Sequence, residues 1–252
     1  MRLVWTYKSN PLHIKETEKD KTIIRINYYI LSILKAKEFG YKTIIYTDSF
    51  SEKYFKDIVD EMHIIEGYDY EILWDDFKIV AMERETDDYA LIDGDIILHS
   101  KLPLLTEELY VDAFEFGSWK NDYENTVIEL TNLGIKNILP EWSNKKLPIM
   151  NNGFLHIKNK NFLETYIDRW KKYGQFVSDN KDKLTDKNSA SFTSQLLLSL
   201  LCEVFNIKPI SMSDGFAKKG KYYTHYVGHT KFITPLVPDN YLLGSNNQKS
   251  MI

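Results

Sequence analysis

Two acidic side chains stand one residue apart immediately after a short apolar run. Residues 89–92, Tyr-Ala-Leu-Ile, lead directly into Asp93 and Asp95. Gly94 separates the two acids, and a second apolar run covers 96–98. Four apolar residues suit a buried strand better than a helix, and ligands of open α/β sheets collect where strands end. The pair therefore predicts a Mg²⁺ or Mn²⁺ site completed by phosphate oxygens, with an ordinary Asp-Gly turn as the alternative.

Farther along the chain, three residues of different type stand three positions apart: His225, Gly228 and Lys231. An imidazole can complete a Mn²⁺ shell that two aspartates begin. A glycine lets a phosphate approach the backbone, and a lysine supplies a point charge. His229 is a competing metal ligand, and surface polar groups are the alternative for the whole stretch.

Three residues nearer the start of the chain are candidates for holding a nucleotide. Thr6 and Tyr7 end the first predicted strand, where a base would bind through the backbone or by stacking on the ring. The alternative for Tyr7 is a half-buried edge tyrosine. Lys78 lies near the start of the helix that leads to the acid pair, where its charge would serve a diphosphate, and a solvated lysine is the alternative.

Amide side chains are the candidates for contacting a sugar. Asn151 and Asn152 precede Gly153 at the start of a predicted strand. Amides both donate and accept hydrogen bonds, which suits hydroxyl groups, although Asn-Gly is also a strong turn dipeptide. Gln195 is the polar residue of an apolar helix predicted over 192–205, where it would face either a pocket or the surface.

Apolar runs of strand length alternate with helix-spaced apolar residues through the first hundred positions. The predicted strands cover 3–7, 43–47, 63–65 and 89–92, and the predicted helices cover 22–39 (with Thr22 as N-cap), 54–62 and 77–81. Beyond Pro103 we predict strands at 111–116, 150–157 and 207–210 and helices at 122–133, 162–170 and 192–205. This alternation predicts an α/β fold with a mainly parallel, Rossmann-like sheet flanked by helices.

Composition limits the possible classes of protein. The 252 residues carry a formal net charge of -4, which does not indicate a general nucleic-acid surface. Cys202 is the single cysteine, so no intrachain disulfide forms, in keeping with a reducing compartment. No apolar stretch reaches the length of a membrane span. We therefore expect a cytoplasmic protein without a transmembrane segment.

The order of these motifs resembles a GT-A glycosyltransferase. A βα-repeated first half, Asp-x-Asp after a strand, Asn-x-Gly before a strand, a helical Gln and His-x-x-Gly-x-x-Lys follow one another over about residues 1–231. The order is most similar to family 8, the glycogenin and galactosyltransferase-like enzymes, and to related small bacterial or viral enzymes. The resemblance implies a GT-A fold and one catalytic domain over 1–235, with 236–252 as a tail. Within it, 1–100 would be the nucleotide-binding half and 101–235 a smaller, mixed acceptor-side half.

The resemblance also implies a role for each candidate residue. Asp93, Asp95 and His225 would bind Mn²⁺ or Mg²⁺. Gln195 and Asn151 would act at the reacting sugar. The remaining positions would hold the nucleotide-sugar donor: Thr6, Tyr7, Lys78, Asp93, Gly94, Asn152, Gly153, Gly228 and Lys231.

The implied activity is a hexosyltransferase-like transfer from a nucleoside-diphosphate sugar, UDP-linked by family resemblance, to an acceptor hydroxyl. The acceptor, which would be a glycan, a lipid, a protein or a nucleic-acid base, and the oligomeric state stay open. A Mg²⁺-dependent phosphatase of the haloacid dehalogenase type is one alternative, because it also places Asp-x-Asp after an apolar strand. A non-catalytic module that binds nucleotide sugars is the other.

Overall fold

The computed structural model describes residues 1–9, 16–66, 76–115, 121–143, 145, 147–185, 195–213 and 220–226. The strands are β1 (Arg2–Tyr7), β2 (Lys42–Thr47), β3 (Glu61–Ile64), β4 (Tyr89–Ile92), β5 (Ile96–Leu98), β6 (Leu109–Glu115), β7 (Ile149–Ile157), β8 (Ile210–Ser211) and β9 (Tyr223–His225). The helices are α1 (Glu16–Glu38), α2 (Glu52–Phe55), α3 (Asp76–Arg84), α4 (Asn121–Asn132), α5 (Lys160–Asp179) and α6 (Leu196–Phe205).

Seven of the described strands form one sheet in the order β3-β2-β1-β4-β7-β6-β8, and β5 pairs with β9 in a separate antiparallel sheet. Strands β1 to β4 run parallel to their neighbours among themselves. Strand β7 is antiparallel to both β4 and β6, whereas β8 is parallel to β6. Of the strands described in the large sheet, only β7 therefore runs against the rest. The predicted α/β fold with a mainly parallel sheet is confirmed.

Helices cover both faces of this sheet, because the side chains of β1 alternate between two hydrophobic clusters. Leu3 and Trp5 belong to a cluster that α1 covers with residues such as Ile33. Val4 belongs to the opposite cluster, which α3, α5 and α6 supply with residues such as Trp170. Burying one such side chain contributes roughly 1.5–3 kcal/mol, so both faces help to fix the position of the strands.

The direction of the strands brings distant parts of the chain to one edge of the sheet. The carboxyl ends of β1, β4 and β6 and the amino end of β7 meet there, since β7 alone runs the other way. Tyr7, Asp93, Glu115 and Ile149 stand at or next to these ends. Polar residues after β4 and early in β7 are therefore neighbours in space.

Strand β7 has an irregularity beside β4. Residues 152–154 of β7 stand opposite Asp112 alone on β6, where the register of the pair shifts. The extra residues turn the Gly153 carbonyl to Asp93, whose backbone N–H donates to it at 2.7 Å. Bulges of this kind redirect side chains and are frequent next to active sites.

Several bounds of the predicted elements are wrong; of the strand predicted over 207–210, only Ile210 lies in a strand, β8. Two other differences have a clear physical cause. Helix α1 begins at Glu16 rather than at a Thr22 cap, because the charged residues before Thr22 are themselves acceptable in a helix. The helix predicted over 54–62 is the single turn α2, and β3 begins at Glu61. Met62 there pairs with Ile45 of β2, so sheet pairing prevails over the local helical spacing.

The described helices include none that is both long enough and apolar enough to cross a membrane.

Candidate active site

Asp93 and Asp95 lie on a turn after β4, where the carboxyl ends of β1, β4 and β6 meet the amino end of β7. The N–H of Ile96 donates to the carbonyl of Asp93 at 3.0 Å, which closes the turn around Gly94. Since β4 and β5 belong to different sheets, this turn is not a hairpin. The turn and the metal-site interpretations of the sequence are therefore compatible at this position.

His225 joins the two acids because β9 pairs with β5. In that pairing His225 stands opposite Ile96, the residue that follows Asp95. One ligand atom each of Asp93, Asp95 and His225 lies within 4.8 Å of the others, and His225 Nε2 is 3.3 Å from Asp95 Oδ1. Sequence positions more than half the chain apart thus form one compact group with two oxygen donors and one nitrogen donor.

The other ring nitrogen of His225 is held by an acid that the sequence analysis did not select. Nδ1 of His225 lies 2.7 Å from Oδ2 of Asp112, which is completely buried in the middle of β6. A histidine that binds a metal through one nitrogen commonly donates the other N–H to a carboxylate. The donor set and this hydrogen bond both fit a divalent cation such as Mn²⁺ or Mg²⁺.

The charges of the cluster shift the titration of its members. Burial acts to lower the pKa of His225, but hydrogen bonds to Asp112 and Asp95 outweigh it and raise the pKa to about 10. Burial raises the pKa of Asp93, Asp95 adds to the rise, and Lys78 opposes it. The carboxylates around His225 therefore favour the protonated form of its ring when no metal is bound.

Lys78 is part of the same group and not a solvated lysine. Only 6% of its surface is exposed, and Nζ lies 2.8 Å from Oδ1 of Asp93. Nζ also donates to the side-chain and backbone oxygens of Asn152, at 3.1 and 3.2 Å. Helix α3 therefore directs a positive charge to the carboxyl end of β4.

The amide candidates line the side of the site that β7 forms. Asn151 donates to Oε1 of Glu115 at 2.7 Å and accepts from the N–H of Gly153 at 2.8 Å. The Nε2 of Gln195 lies 3.4 Å from Oδ1 of Asn152, so Gln195 faces the site rather than the helix surface. Glu115 is a further acid of the site, and the sequence analysis did not select it.

Thr6 and Tyr7 reach the same edge of the sheet, but the ring of Tyr7 is packed in the core. Its centroid lies 5.0 Å from the Tyr29 ring and 5.3 Å from the Phe55 ring, in edge-on contacts. The carbonyl of Thr6 accepts a hydrogen bond from the Tyr29 hydroxyl at 3.0 Å. The Tyr7 ring therefore contributes to the core, and the contact of Thr6 and Tyr7 with a nucleotide stays a prediction.

Glycines permit two close approaches that shape the site. A Cβ on Gly94 would lie 2.1 Å from Cδ2 of Tyr29, so the Tyr29 ring packs directly against the acid-bearing turn. A Cβ on Gly153 would lie 2.6 Å from Cε1 of His225. Larger residues at these positions would displace Tyr29 or His225.

We expect Gly94→Ala to destabilise the protein, because its methyl group must push the Tyr29 ring out of place. Overpacking of this kind costs about 1–3 kcal/mol, or roughly 2–10 °C in melting temperature for a chain of this size. Thermal unfolding of the single variants and of Gly94→Ala/Tyr29→Ala would measure the coupling between them. An equal loss from Gly94→Ala in both backgrounds would contradict this packing.

Gly228, Lys231 and the competing ligand His229 lie outside the described residues. Their predicted contacts with the diphosphate and the metal stay predictions.

No protein-family model matches this chain, and no curated protein sequence matches it. Solved structures with a similar fold include the galactosyltransferase LgtC in complex with donor and acceptor sugar analogs (12% identity, TM-score 0.43, 77% of this chain and 70% of LgtC). Others are the glycosyltransferase GlyE of Streptococcus pneumoniae TIGR4 (14%, 0.44, 84% of this chain and 46% of GlyE) and mouse xyloside xylosyltransferase 1 (9%, 0.40, 84% of both chains). At this distance the function of the chain has to be inferred from its own site.

Proposed function

We propose that the chain is a metal-dependent glycosyltransferase that moves a sugar from a nucleoside-diphosphate sugar, with UDP as the expected nucleotide, to an acceptor hydroxyl. The observation that carries the proposal is the group of Asp93, Asp95 and His225 at the carboxyl edge of the sheet, with Lys78 and three amides around it. Such a group combines oxygen and nitrogen donors for a cation with hydrogen-bond partners for a sugar.

The chemistry follows from where negative charge develops. When the acceptor oxygen bonds to the anomeric carbon, the bond from that carbon to the diphosphate breaks and charge builds on the leaving phosphate. The hydroxyl proton passes to a carboxylate base if the transfer inverts, or to the leaving phosphate if it retains the anomeric configuration. A divalent cation held by Asp93, Asp95 and His225 would stabilise that charge. Lys78 would add positive charge on the α3 side, and Lys231 would do so by family resemblance.

The amides would hold the donor sugar in place for the transfer. Asn151 is oriented by Glu115, and Asn152 by Lys78, so each amide has a fixed direction before a sugar binds. Gln195 would lie close to the reacting carbon, next to Asn152. Fixed hydrogen-bond partners reduce the ordering that substrate binding requires.

We expect one nucleoside diphosphate, UDP in the first instance, to stabilise the protein in a Mn²⁺-dependent way. At about a hundred times its dissociation constant a ligand contributes roughly 2.7 kcal/mol, or about 5–10 °C in melting temperature. The measurement is a thermal-shift panel of UDP, GDP and CDP and their sugars, each with Mn²⁺ or with chelator. UMP is the matched control, because it retains the base but lacks the diphosphate.

The outcomes separate the alternatives. A Mn²⁺-dependent shift followed by release of the same nucleoside diphosphate in the presence of acceptor supports a transferase. A shift without transfer or hydrolysis, for any sugar tested, would indicate a binding module. No shift with any nucleotide in folded protein, together with Mg²⁺-dependent cleavage of a simple phosphate ester, would replace the proposal with a phosphatase.

A further inference from the structure

Asp112 is a completely buried acid in the middle of β6, opposite the irregular part of β7. Its two carboxylate oxygens each accept one hydrogen bond from the same face of β9. The Tyr223 hydroxyl donates to Oδ1 at 2.7 Å, and His225 Nδ1 lies 2.7 Å from Oδ2. One carboxylate thus joins two alternate residues of the strand that carries His225.

The backbone of Asp112 is also held firmly. Its carbonyl accepts from the N–H of Ser213 at 2.9 Å and from the Ser213 hydroxyl at 3.0 Å, both from the segment that follows β8. The hydroxyl of Ser211 contacts the same carbonyl at 3.1 Å. The carboxylate therefore projects from a fixed point in the sheet toward β9.

A buried carboxylate is costly unless hydrogen bonds and charge compensate for its desolvation. The described contacts of the Asp112 side chain include no lysine or arginine, and its two partners are the Tyr223 hydroxyl and the imidazole of His225. The His225 ring packs closely against Gly153, where a Cβ would lie only 2.6 Å from Cε1 of the ring. Its remaining nitrogen, Nε2, faces Asp95.

We propose that Asp112 is a positioning residue that keeps a proton on Nδ1 of His225, so that Nε2 is presented to the cation beside Asp93 and Asp95. This inference rests on the metal site of the proposed function, which it deepens. Asp112 does not touch the cation; it fixes the ring orientation and the tautomer of the residue that does. When Nδ1–H donates to a carboxylate, Nε2 becomes more basic and therefore a stronger metal ligand.

We expect Asp112→Asn to weaken Mn²⁺ binding by about 10- to 100-fold, the usual effect of removing such a carboxylate. Mn²⁺ affinity is measured from the electron paramagnetic resonance signal of the free ion, without any substrate. Tyr223→Phe removes only the hydrogen bond to Oδ1 and should weaken binding less. Asp88→Asn is the matched control, because Asp88 also pairs with a histidine, His156, but lies at the protein surface.

A second measurement needs no variant and therefore does not depend on the folding of Asp112→Asn. In the Mg²⁺-loaded wild type, the ¹⁵N shifts of the His225 ring should show a protonated Nδ1 and an unprotonated Nε2. The opposite tautomer, or equal Mn²⁺ affinity in wild type and Asp112→Asn, would overturn the role of Asp112 alone. Wild-type protein that binds no divalent cation would refute the proposed function as well.

Discussion

Replacing Asp95 with asparagine is expected to reduce sugar transfer by about 10²- to 10³-fold. The variant keeps the shape of the side chain but removes one of two carboxylates that would hold the cation beside the leaving diphosphate. Metal ions contribute several kcal/mol of charge stabilisation in such reactions, and each 1.36 kcal/mol is about tenfold in rate. The measurement is kcat/KM at several Mn²⁺ concentrations, because part of the loss should return as Mn²⁺ is raised.

Asp57→Asn is the matched control, because Asp57 is an exposed acid without a described ion pair. It changes the net charge by the same amount and should leave transfer unchanged. Asp95→Asn protein that is folded and retains full Mn²⁺-dependent transfer would refute the assignment of Asp95 as a metal ligand.

Lys78→Met is expected to change metal binding and nucleotide binding in opposite directions. Without the ammonium group, the carboxylate of Asp93 loses its 2.8 Å partner and attracts Mn²⁺ more strongly. The nucleoside diphosphate loses the Lys78 ammonium group as a hydrogen-bond partner. It should bind at least tenfold more weakly, since a charge-assisted hydrogen bond contributes about 1.5–3 kcal/mol. Titration of Mn²⁺ alone and then of UDP at saturating Mn²⁺ separates the two effects.

The same substitution should lower the stability of the metal-free protein. Breaking a buried ion pair costs about 3–5 kcal/mol, and because Asp93 is partly exposed we expect roughly 2 kcal/mol. Lys37→Met is the control, since the Lys37–Asp60 pair is more exposed and should contribute about 1 kcal/mol or less. If added Mn²⁺ stabilised Lys78→Met no more than it stabilised the wild type, Lys78 would not be compensating the charge of the acid pair.

The parallel half of the sheet could be predicted from the sequence because β1, β2 and β4 are mostly buried and give continuous apolar runs. The one antiparallel strand of the described sheet could not, because the direction of β7 depends on contacts with β4 and β6 rather than on its own residues. The short β9 strand was missed for a similar reason. Its three residues form a strand only through pairing with β5.

Within the site, Asp93, Asp95 and His225 were selected because their spacing and order carried a resemblance. Asp112 and Glu115 are acids on an alternating strand, and periodicity does not say whether such an acid faces solvent or a partner. A signal was nevertheless present, since Asp112 interrupts the apolar pair Val111 and Ala113, and aspartate is disfavoured in strands. An acid within a buried strand is therefore a reason to search for a buried partner.

The pairing of β5 with β9 also has a consequence for the order in which the protein folds. More than half of the chain separates Asp95 from His225, so the nascent chain can assemble β1 to β4 and the acid pair long before β9 leaves the ribosome. Contacts of such high sequence separation form late and slowly. Completion of the cation site would therefore coincide with one of the last folding events, and binding of Mn²⁺ would report that the chain has reached its native topology.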